Sequence, residues 1–263
     1  MRKPRQQGIQ SIEVGHALLA ALATAPSPMM LKELAKTAGM AAPKAHRYLV
    51  SFMRMGLVEQ EEGTGLYDLG PFALELGLAA LGRLDPVAVA GRFLRGLAEE
   101  LNQTVALAVW ANHGATIIRW VGADSPVSAT LRVGSVMPLT RSATGLMFLA
   151  LLPHAQTELL LKKELAQNAR QRLQPQSSAA LDSTLRDIRR SGCARTAGFI
   201  PGITGIAAPV YDMEAAVVLA LVTLGYSGTF ESSEAQIRTA LMKTAESISS
   251  RLGAKLESRE AST

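Results

Sequence analysis

The hydrophobic positions between residues 31 and 54 repeat with the spacing of two short amphipathic helices. Gly39 separates the two helices and suits a tight turn, because glycine adopts positive φ without steric cost. Pro43 fits the start of the second helix, where a missing N–H loses no hydrogen bond. The apolar residues of each helix share one face: Leu31, Leu34 and Ala35 in the first, and Ala45, Leu49 and Phe52 in the second. The pattern predicts a helical hairpin.

The second of these helices also has a polar face. Four of its residues lie at i, i+3, i+7 and i+10: Lys44, Arg47, Ser51 and Arg54. His46 is on the same helix, and apolar residues between Ile12 and Leu22 predict a further helix upstream. One interpretation is an ordinary hairpin with a solvated basic face. The other is a helix-turn-helix whose second helix enters the major groove of DNA.

The segment that follows favours the DNA-binding interpretation. Residues 57–69 hold two short apolar runs around Gly63-Thr64-Gly65, which is typical of a β-hairpin. A hairpin directly after a recognition helix is the wing of a winged helix. We therefore predict a winged helix-turn-helix domain over residues 1–70.

The distribution of charge agrees with this prediction. Residues 1–55 contain 8 basic and 2 acidic residues, whereas the rest of the chain contains 19 basic and 20 acidic ones. A local basic excess is typical of a surface that binds nucleic acid. Arg5, in the amino-terminal arm, is a further candidate for contact with DNA.

A Leu/Ala-rich helix is predicted over residues 71–84, and Asp85-Pro86 predicts the cap and first residue of the next helix. The 71–84 helix has few charges, so its apolar residues need a partner. This partner is either the core of the protein itself or the same helix of a second subunit. We interpret the segment as a linker and dimerisation helix.

Residues 85–258 combine strands and helices and predict an α+β domain with an antiparallel sheet. The predicted strands are 104–110, 115–122, 127–133, 193–197, 205–212 and 215–226. The predicted helices after residue 101 are 143–152, 154–165, 177–191 and 231–256.

The chemistry of the sequence indicates binding and not catalysis. The four histidines have no metal-ligand spacing, and we find no nucleophile elbow, P-loop or dinucleotide motif. We therefore expect no enzyme activity, metal or cofactor. A single cysteine, Cys193, fits a reducing cytoplasm. A basic start before an apolar run resembles a signal peptide, but Glu13 and His16 interrupt it. No apolar run is long enough to span a membrane.

A small-molecule site is predicted where residues 138–145, PLTRSATG, enter a helix. The free amides near Ala143 and Thr144, with Ser142 and Arg141, would hold a carboxylate. The alternative is that Ser142 only caps the helix. The uncharged loop 198–209 would contact the apolar body of the ligand, in particular through Phe199 and Ile203.

Several segments together resemble the IclR family of bacterial transcriptional regulators over nearly the whole chain. They are SIEVGHALLAAL, LKELAKTAGM, KAHRYL, LYDLGPFALELG, PLTRSATGLMFLALLP, LRDIRRSGCA and GIAAPVYD. The resemblance implies a winged helix-turn-helix, a linker helix and an effector domain of GAF-like or profilin-like fold. It also implies a homodimer or homotetramer on double-stranded DNA with a palindromic operator, and a small organic acid as effector. Where many members have a cysteine before the IAAP-like strand, this chain has Gly205.

The resemblance also suggests which genes and ligands are involved. The PLTRSATG form is similar to that of regulators of aromatic-compound catabolism, so an aromatic acid is expected. The alternatives are a short aliphatic keto acid, or no ligand at all with regulation by protein level. The wing is acidic where the family prefers basic or neutral residues.

A second class of function remains open: a small-molecule-binding module whose winged helix mediates protein contacts.

Overall fold

The computed structural model describes residues 8–122, 131–175, 177–197 and 199–255. The chain divides into two compact units, with the division between Leu84 and Asp85. Each unit has its own buried core, so each is described separately.

The first unit contains three helices, a two-stranded sheet and a fourth helix. The elements are α1 Gln10–Thr24, α2 Leu31–Thr37, α3 Ala42–Arg54, β1 Val58–Gln60, β2 Tyr67–Leu69 and α4 Pro71–Gly82. The two strands are antiparallel, and Glu59 is paired with Asp68. Met29 adds a bridge to Tyr67, with N···O distances of 2.8 and 2.9 Å. These elements form the winged helix-turn-helix that the sequence predicts.

The core of this unit is formed by the apolar faces of the three helices and by Val58 and Tyr67 of the sheet. Gly39 has a φ of 66° at the turn between α2 and α3, as predicted. Gly15 has a role that the sequence did not reveal. A Cβ at this position would lie 2.9 Å from Cζ of Phe52, so the missing side chain lets α1 approach the aromatic residues of α3.

The second unit is an α+β domain, as predicted. Its elements are α5 Pro86–Leu101, β3 Thr104–Ala111, β4 Gly114–Val121, α6 Ala143–Leu151, α7 His154–Gln171, a 3₁₀ turn Ala179–Leu181, α8 Asp182–Ser191, β5 Ala194–Ala197, β6 Ile203–Tyr211, β7 Val217–Tyr226 and α9 Ser227–Arg251. Asp85 caps α5 by accepting hydrogen bonds from the amides of Val87 and Ala88. The strands form one antiparallel sheet in the order β4-β3-β7-β6-β5.

Helices cover both faces of this sheet. Along β3, Ala106 and Ala108 belong to the core around α6. The alternate residues Val105 and Leu107 are also buried and face the opposite side, where α5 and α9 pack. Because α6 is buried along its whole length except at its last residue, its first turn is held in a fixed position beside the sheet.

Some predicted boundaries were wrong. The helix predicted over 154–165 continues to Gln171, because nothing in its sequence breaks a helix before Arg172 adopts a left-handed conformation. The helix predicted over 177–191 begins at Asp182, and β6 begins at Ile203 and not at residue 205. The last helix is Ser227–Arg251 and not 231–256, and Gly253, with a φ of 85°, follows its end.

The strand predicted over 127–133 lies mostly outside the described residues. Residues 131–133, which are described, are not in a strand. The amide of Ser135 donates to the carbonyl of Arg132, and Gly134 has a φ of 91°, so the chain turns here. Val136 makes an isolated antiparallel bridge to Thr116.

Among the described residues, no helix is long and apolar enough to cross a membrane. The same part of the chain contains no group of three or more histidine, cysteine or acidic side chains that could hold a metal ion.

Candidate functional site

The exposed face of α3 carries the residues predicted to contact DNA. Lys44, Arg47, Ser51 and Arg54 are all exposed. At 3.6 residues per turn they fall within an arc of about 80°. Within the described ranges, none of the three cations forms an ion pair. Ala45 and Leu49 are buried on the opposite face. This surface is therefore free to meet an anionic partner.

Two of the residues predicted to contact DNA, Ser51 and His46, differ from the three basic residues of α3. The Ser51 hydroxyl donates to the carbonyl of Arg47, at 3.2 Å, so its proton is used within the helix and its oxygen remains as an acceptor. His46 is exposed, but at 3.6 residues per turn it lies about 100° from Arg47, outside the basic face. Arg5 lies outside the described residues and stays a prediction.

The wing is acidic. Residues 57–69 contain Glu59, Glu61, Glu62 and Asp68 and no basic residue. Gly63 and Gly65 have positive φ in the turn, and the amide of Glu61 donates to the carbonyl of Leu66 at 2.9 Å. Glu61 and Glu62 are exposed at the tip. Phosphate groups would be repelled here, so the geometry favours α3 over the wing as a DNA contact.

The helix α4 contains no buried residue. Its large apolar side chains are exposed by 41 to 65%: Phe72, Leu74, Leu76, Leu78 and Leu81. An exposed apolar surface of this kind marks an interaction site. Two partners were considered from the sequence, and the described core residues of the protein include none of this helix; a second subunit therefore stays the prediction.

The second candidate site is the first turn of α6, which Ser142 caps. The Ser142 hydroxyl accepts a hydrogen bond from the amide of Gly145, at 2.9 Å, and donates to the carbonyl of Pro138, at 2.6 Å. A Cβ at Gly145 would lie 2.3 Å from the Pro138 oxygen, so glycine is required for this close approach. The amides of Ala143 and Thr144 lack intrahelical acceptors because they begin the helix.

A cavity opens beside this turn, between α6, the loop 199–202 and strands β5 to β7. It is lined by Leu131, Met137, Ser142, Ala143, Thr144, Thr196, Phe199, Ile200, Ile203, Gly205, Val222 and Leu224. The space is about 330 Å³ including its open mouth, whereas the enclosed part, about 20 Å³, has room for one water molecule. An organic ligand would therefore have to part the side chains of the loop.

Six of the seven residues predicted to bind an effector line this cavity: Ser142, Ala143, Thr144, Phe199, Ile203 and Gly205. A Cβ at Gly205 would lie 2.8 Å from Cδ2 of Leu224, so the glycine keeps β6 close to its neighbour. Thr196, on β5, adds a polar group that the sequence analysis missed. Only the pairing of β5 with β6, Thr196 opposite Gly205, brings it here.

Arg141 is the exception. Its guanidinium carbon lies 5.7 Å from the centre of the Phe199 ring, and Arg141 is not among the residues that line the cavity. The expectation that Arg141 stands beside Ser142 at a carboxylate stays a prediction, which the lining of this cavity does not support. Arg141 directly precedes the helix cap, and its guanidinium packs over the ring of Phe199.

The loop before α6 is held by a residue that no sequence motif revealed. The Glu164 carboxylate on α7 accepts hydrogen bonds from the amide of Leu139, at 2.7 Å, and from the amide and hydroxyl of Thr140, at 2.8 and 2.6 Å. Asn168, which is buried, donates to the Thr140 hydroxyl at 3.1 Å. The loop is therefore fixed to α7.

Comparison with known proteins gives matches over both units of the chain. A family model described as "IclR helix-turn-helix domain" matches residues 11–62, and one described as "Bacterial transcriptional regulator IclR C-terminal" matches residues 78–250. The glycerol operon regulatory protein of Streptomyces coelicolor is 31% identical over 207 residues, which are 78% of this chain and 80% of that protein.

Solved structures are also similar. The crystal structure of Pseudomonas aeruginosa HmgR is 36% identical and has a TM-score of 0.85, covering 95% of this chain and 100% of that one. The Agrobacterium tumefaciens repressor BlcR, 22% identical, has a TM-score of 0.78 with the same coverage and supports the fold alone.

Proposed function

Because the chain belongs to the IclR family of bacterial transcriptional regulators, we propose that it binds operator DNA through α3 and responds to a small organic acid bound beside α6. The chain is a DNA-binding regulator with an effector domain, and it is not an enzyme. The residues that read the operator, the class of effector and the oligomeric state are our proposals.

The observation that carries the proposal for DNA is the exposed basic face of α3. Lys44, Arg47 and Arg54 have no acidic partner among the described residues, so their charges are available to phosphates and base edges. Arginine at this position suits guanine, whose two major-groove acceptors match its planar fork. Residues 1–70 would form the DNA-binding domain, with Arg5 adding contact from the amino-terminal arm.

The exposed apolar residues of α4 support a homodimer. Joining two copies through residues 71–84 would cover these side chains and place two α3 helices on the half-sites of a palindromic operator. A tetramer would be formed from two such dimers. We propose that the protein acts in the cytoplasm, where its DNA partner is found.

The effector proposal rests on the pairing of free amides with an apolar cavity over residues 85–258. The amides of Ala143 and Thr144, at the positive end of the α6 dipole, would bind a carboxylate. Phe199, Ile200 and Ile203 would contact an apolar body, which favours an aromatic acid over a short keto acid. The name of the Streptomyces relative, a glycerol operon regulatory protein, supports control of an operon, and we propose that catabolic genes are the target.

A mobility-shift assay with the intergenic DNA upstream of the gene tests the proposal. We expect specific binding that weakens steeply with salt, because phosphate contacts release counterions. Adding an aromatic acid should change the affinity, and an aliphatic keto acid should change it less. The alternative, a binding module whose winged helix contacts proteins, predicts no operator complex and no dependence on salt.

A further inference from the structure

A second cleft lies beside the loop that precedes α6, and the proposed effector does not use it. It contains His113, Met137, Arg141, Lys163, Glu164 and Gln167 among its lining residues. Its space is about 720 Å³ including the part open to solvent. Most of these lining residues are polar, whereas most residues that line the effector cavity are apolar.

Arg141 is the informative residue of this cleft. Its Nε is buried and has no hydrogen-bond partner. Within the described parts of the chain its guanidinium forms no ion pair, and its contact is with the face of Phe199. A buried polar atom without a partner is rare in proteins and needs an explanation. A half-buried cation with no counter-charge is costly unless an anion reaches it.

The acidic residue of the cleft does not supply that anion. Both carboxylate oxygens of Glu164 are already bound by Leu139 and Thr140, at distances of 2.6 to 2.8 Å. The carboxylate is turned towards the loop and holds its backbone. Arg141 is therefore left without a partner although an acid lies in the same cleft.

Lys163 adds a second free cation. It is exposed on α7 and, among the described residues, forms no ion pair. The preceding residue, Lys162, differs because its ammonium is paired with Glu158 at 2.5 Å on another side of the helix. The cleft thus has two unpaired cations and one acid whose oxygens are occupied.

We propose that this cleft binds a small oxyanion, with its carboxylate or phosphate group paired to Arg141 and Lys163. The guanidinium offers parallel donors that fit the oxygens of either group, and the lysine adds a point charge. The exposed amide of Gln167 would donate a further hydrogen bond. The effector cavity has neither cation in its lining, although Met137 borders both spaces and Arg141 packs over Phe199 of that cavity. The oxyanion proposal does not depend on the identity of the effector.

Titration of the full-length protein with inorganic phosphate and with succinate tests the proposal by calorimetry and by amide chemical shifts. We expect saturable binding with a Kd on the order of 1 mM for at least one probe. The amides that shift should be those of His113, Leu139 and Gln167. Tighter binding of phosphate would assign a phosphate ligand, and tighter binding of succinate would assign a carboxylate ligand.

Matched variants separate this site from general attraction to a basic surface. Lys163→Gln and Arg141→Gln should each weaken binding about tenfold or more, because each removes a charge-assisted contact. Lys162→Gln, a neighbour with the same chemistry, should change the Kd less than about twofold, as expected for an exposed charge.

Three outcomes would overturn the proposal. The first is no binding of either probe at about 10 mM, tenfold above the expected Kd. The second is equal weakening by Lys162→Gln and Lys163→Gln. The third is binding that shifts the amides of Ala143 and Thr144 and persists in Arg141→Gln, which would assign both probes to the effector cavity. Each outcome leaves the test of DNA binding unaffected.

Discussion

Glu164 is bonded to Thr140 twice, through the amide at 2.8 Å and the hydroxyl at 2.6 Å. The two residues are 24 positions apart in the chain, and their contact fixes the loop that leads into α6. Because α6 begins only two residues after Arg141, the position of its first turn depends on this carboxylate. The pair therefore links the stability of the domain to the geometry of the cavity.

Glu164→Ala should destabilise the effector domain. It would leave the amides of Leu139 and Thr140 without acceptors in a partly buried site, at a cost of about 1–3 kcal/mol. Glu158→Ala on the same helix is the control. The Glu158 side chain is 43% exposed and pairs with Lys162 at the surface, so its loss should change the free energy of unfolding by less than about 0.5 kcal/mol. Urea denaturation of both variants measures the difference. Equal stability of the two would show that the loop is held by other contacts.

Arg47→Ala should weaken specific operator binding by about 1–3 kcal/mol if Arg47 reads a base edge. His46→Ala is the matched control, since His46 is exposed on the same helix but outside the basic face. Fluorescence anisotropy with operator and with scrambled DNA separates loss of specificity from loss of charge. If the operator affinity of Arg47→Ala equals that of the wild type, Arg47 does not read a base edge, and the assignment of α3 as the recognition helix is contradicted.

The double variant Leu74→Lys, Leu78→Lys should dissociate the dimer. The two side chains are exposed by 65 and 59% and are one helical turn apart on α4. Burying a leucine contributes about 1.5–3 kcal/mol, so losing two should raise the dimer Kd by about 100-fold or more. Glu75→Lys adds charge beside them and should leave the dimer intact. Light scattering that finds a wild-type monomer with full operator affinity would contradict the proposal.

Cys193 should be inert in the folded protein. Burial raises the pKa of its thiol, an effect that Arg238 and a hydrogen bond with Ser191 oppose only in part. The thiolate, which is the reactive form, is therefore scarce at pH 8. Iodoacetamide should label the chain only when it unfolds, and the result is unambiguous because there is one cysteine. Rapid labelling of the native protein would show that the thiol is accessible and ionised.

The raised pKa of Cys193 also predicts that the free energy of unfolding decreases at alkaline pH. The unfolded thiol ionises near pH 8.5, below the pKa of the folded one. The contribution of the neutral thiol is present below about pH 8.5 and is lost as the pH rises above it. Cys193→Ala should remove this part of the alkaline decrease in the free energy of unfolding, measured by denaturation between pH 7 and 10.

Elements with strong periodicity were predictable from the sequence. The pair α2 and α3 follows from apolar spacing and from Gly39, and the wing follows from its glycine-rich turn. The ends of helices and strands were less predictable. Helix α7 ends where Arg172 adopts a left-handed backbone conformation, and not where its apolar pattern becomes weak. The end of the last helix depends on Gly253, which looks like any other glycine in the sequence.

The sequence predicted the part of the candidate cavity that is formed by neighbouring residues in the chain, and not the part formed by tertiary contacts. Ser142 and its neighbours carry a local signal, a capping residue before a helix of small residues. Thr196 and Glu164 reach the same region through strand pairing and helix packing, which leave no local trace. Arg141 does not line the cavity although it is next to Ser142 in the chain, because sequence adjacency does not determine the direction of a side chain.

The carboxylate site predicts that Thr144→Pro lowers the affinity for the acid effector by about ten- to a hundredfold, because it removes one backbone donor to a charged group. Proline is tolerated in the first turn of a helix, and Pro43 occupies the same position in α3. Thr144→Val retains the amide and loses only the hydroxyl, so it should bind the acid more tightly than Thr144→Pro. Circular dichroism checks that both variants are folded.

Ser142→Ala should act differently from Thr144→Pro. The Ser142 hydroxyl is bonded to Pro138 and Gly145, so its loss should cost about 1 kcal/mol of stability as a lost helix cap. Its effect on the acid should be smaller than that of Thr144→Pro. Calorimetry with a panel of aromatic acids, aliphatic acids and their neutral amides makes the comparison. If neutral amides bind as tightly as the acids, or if Thr144→Pro retains the wild-type affinity, the α6 amides do not hold a carboxylate.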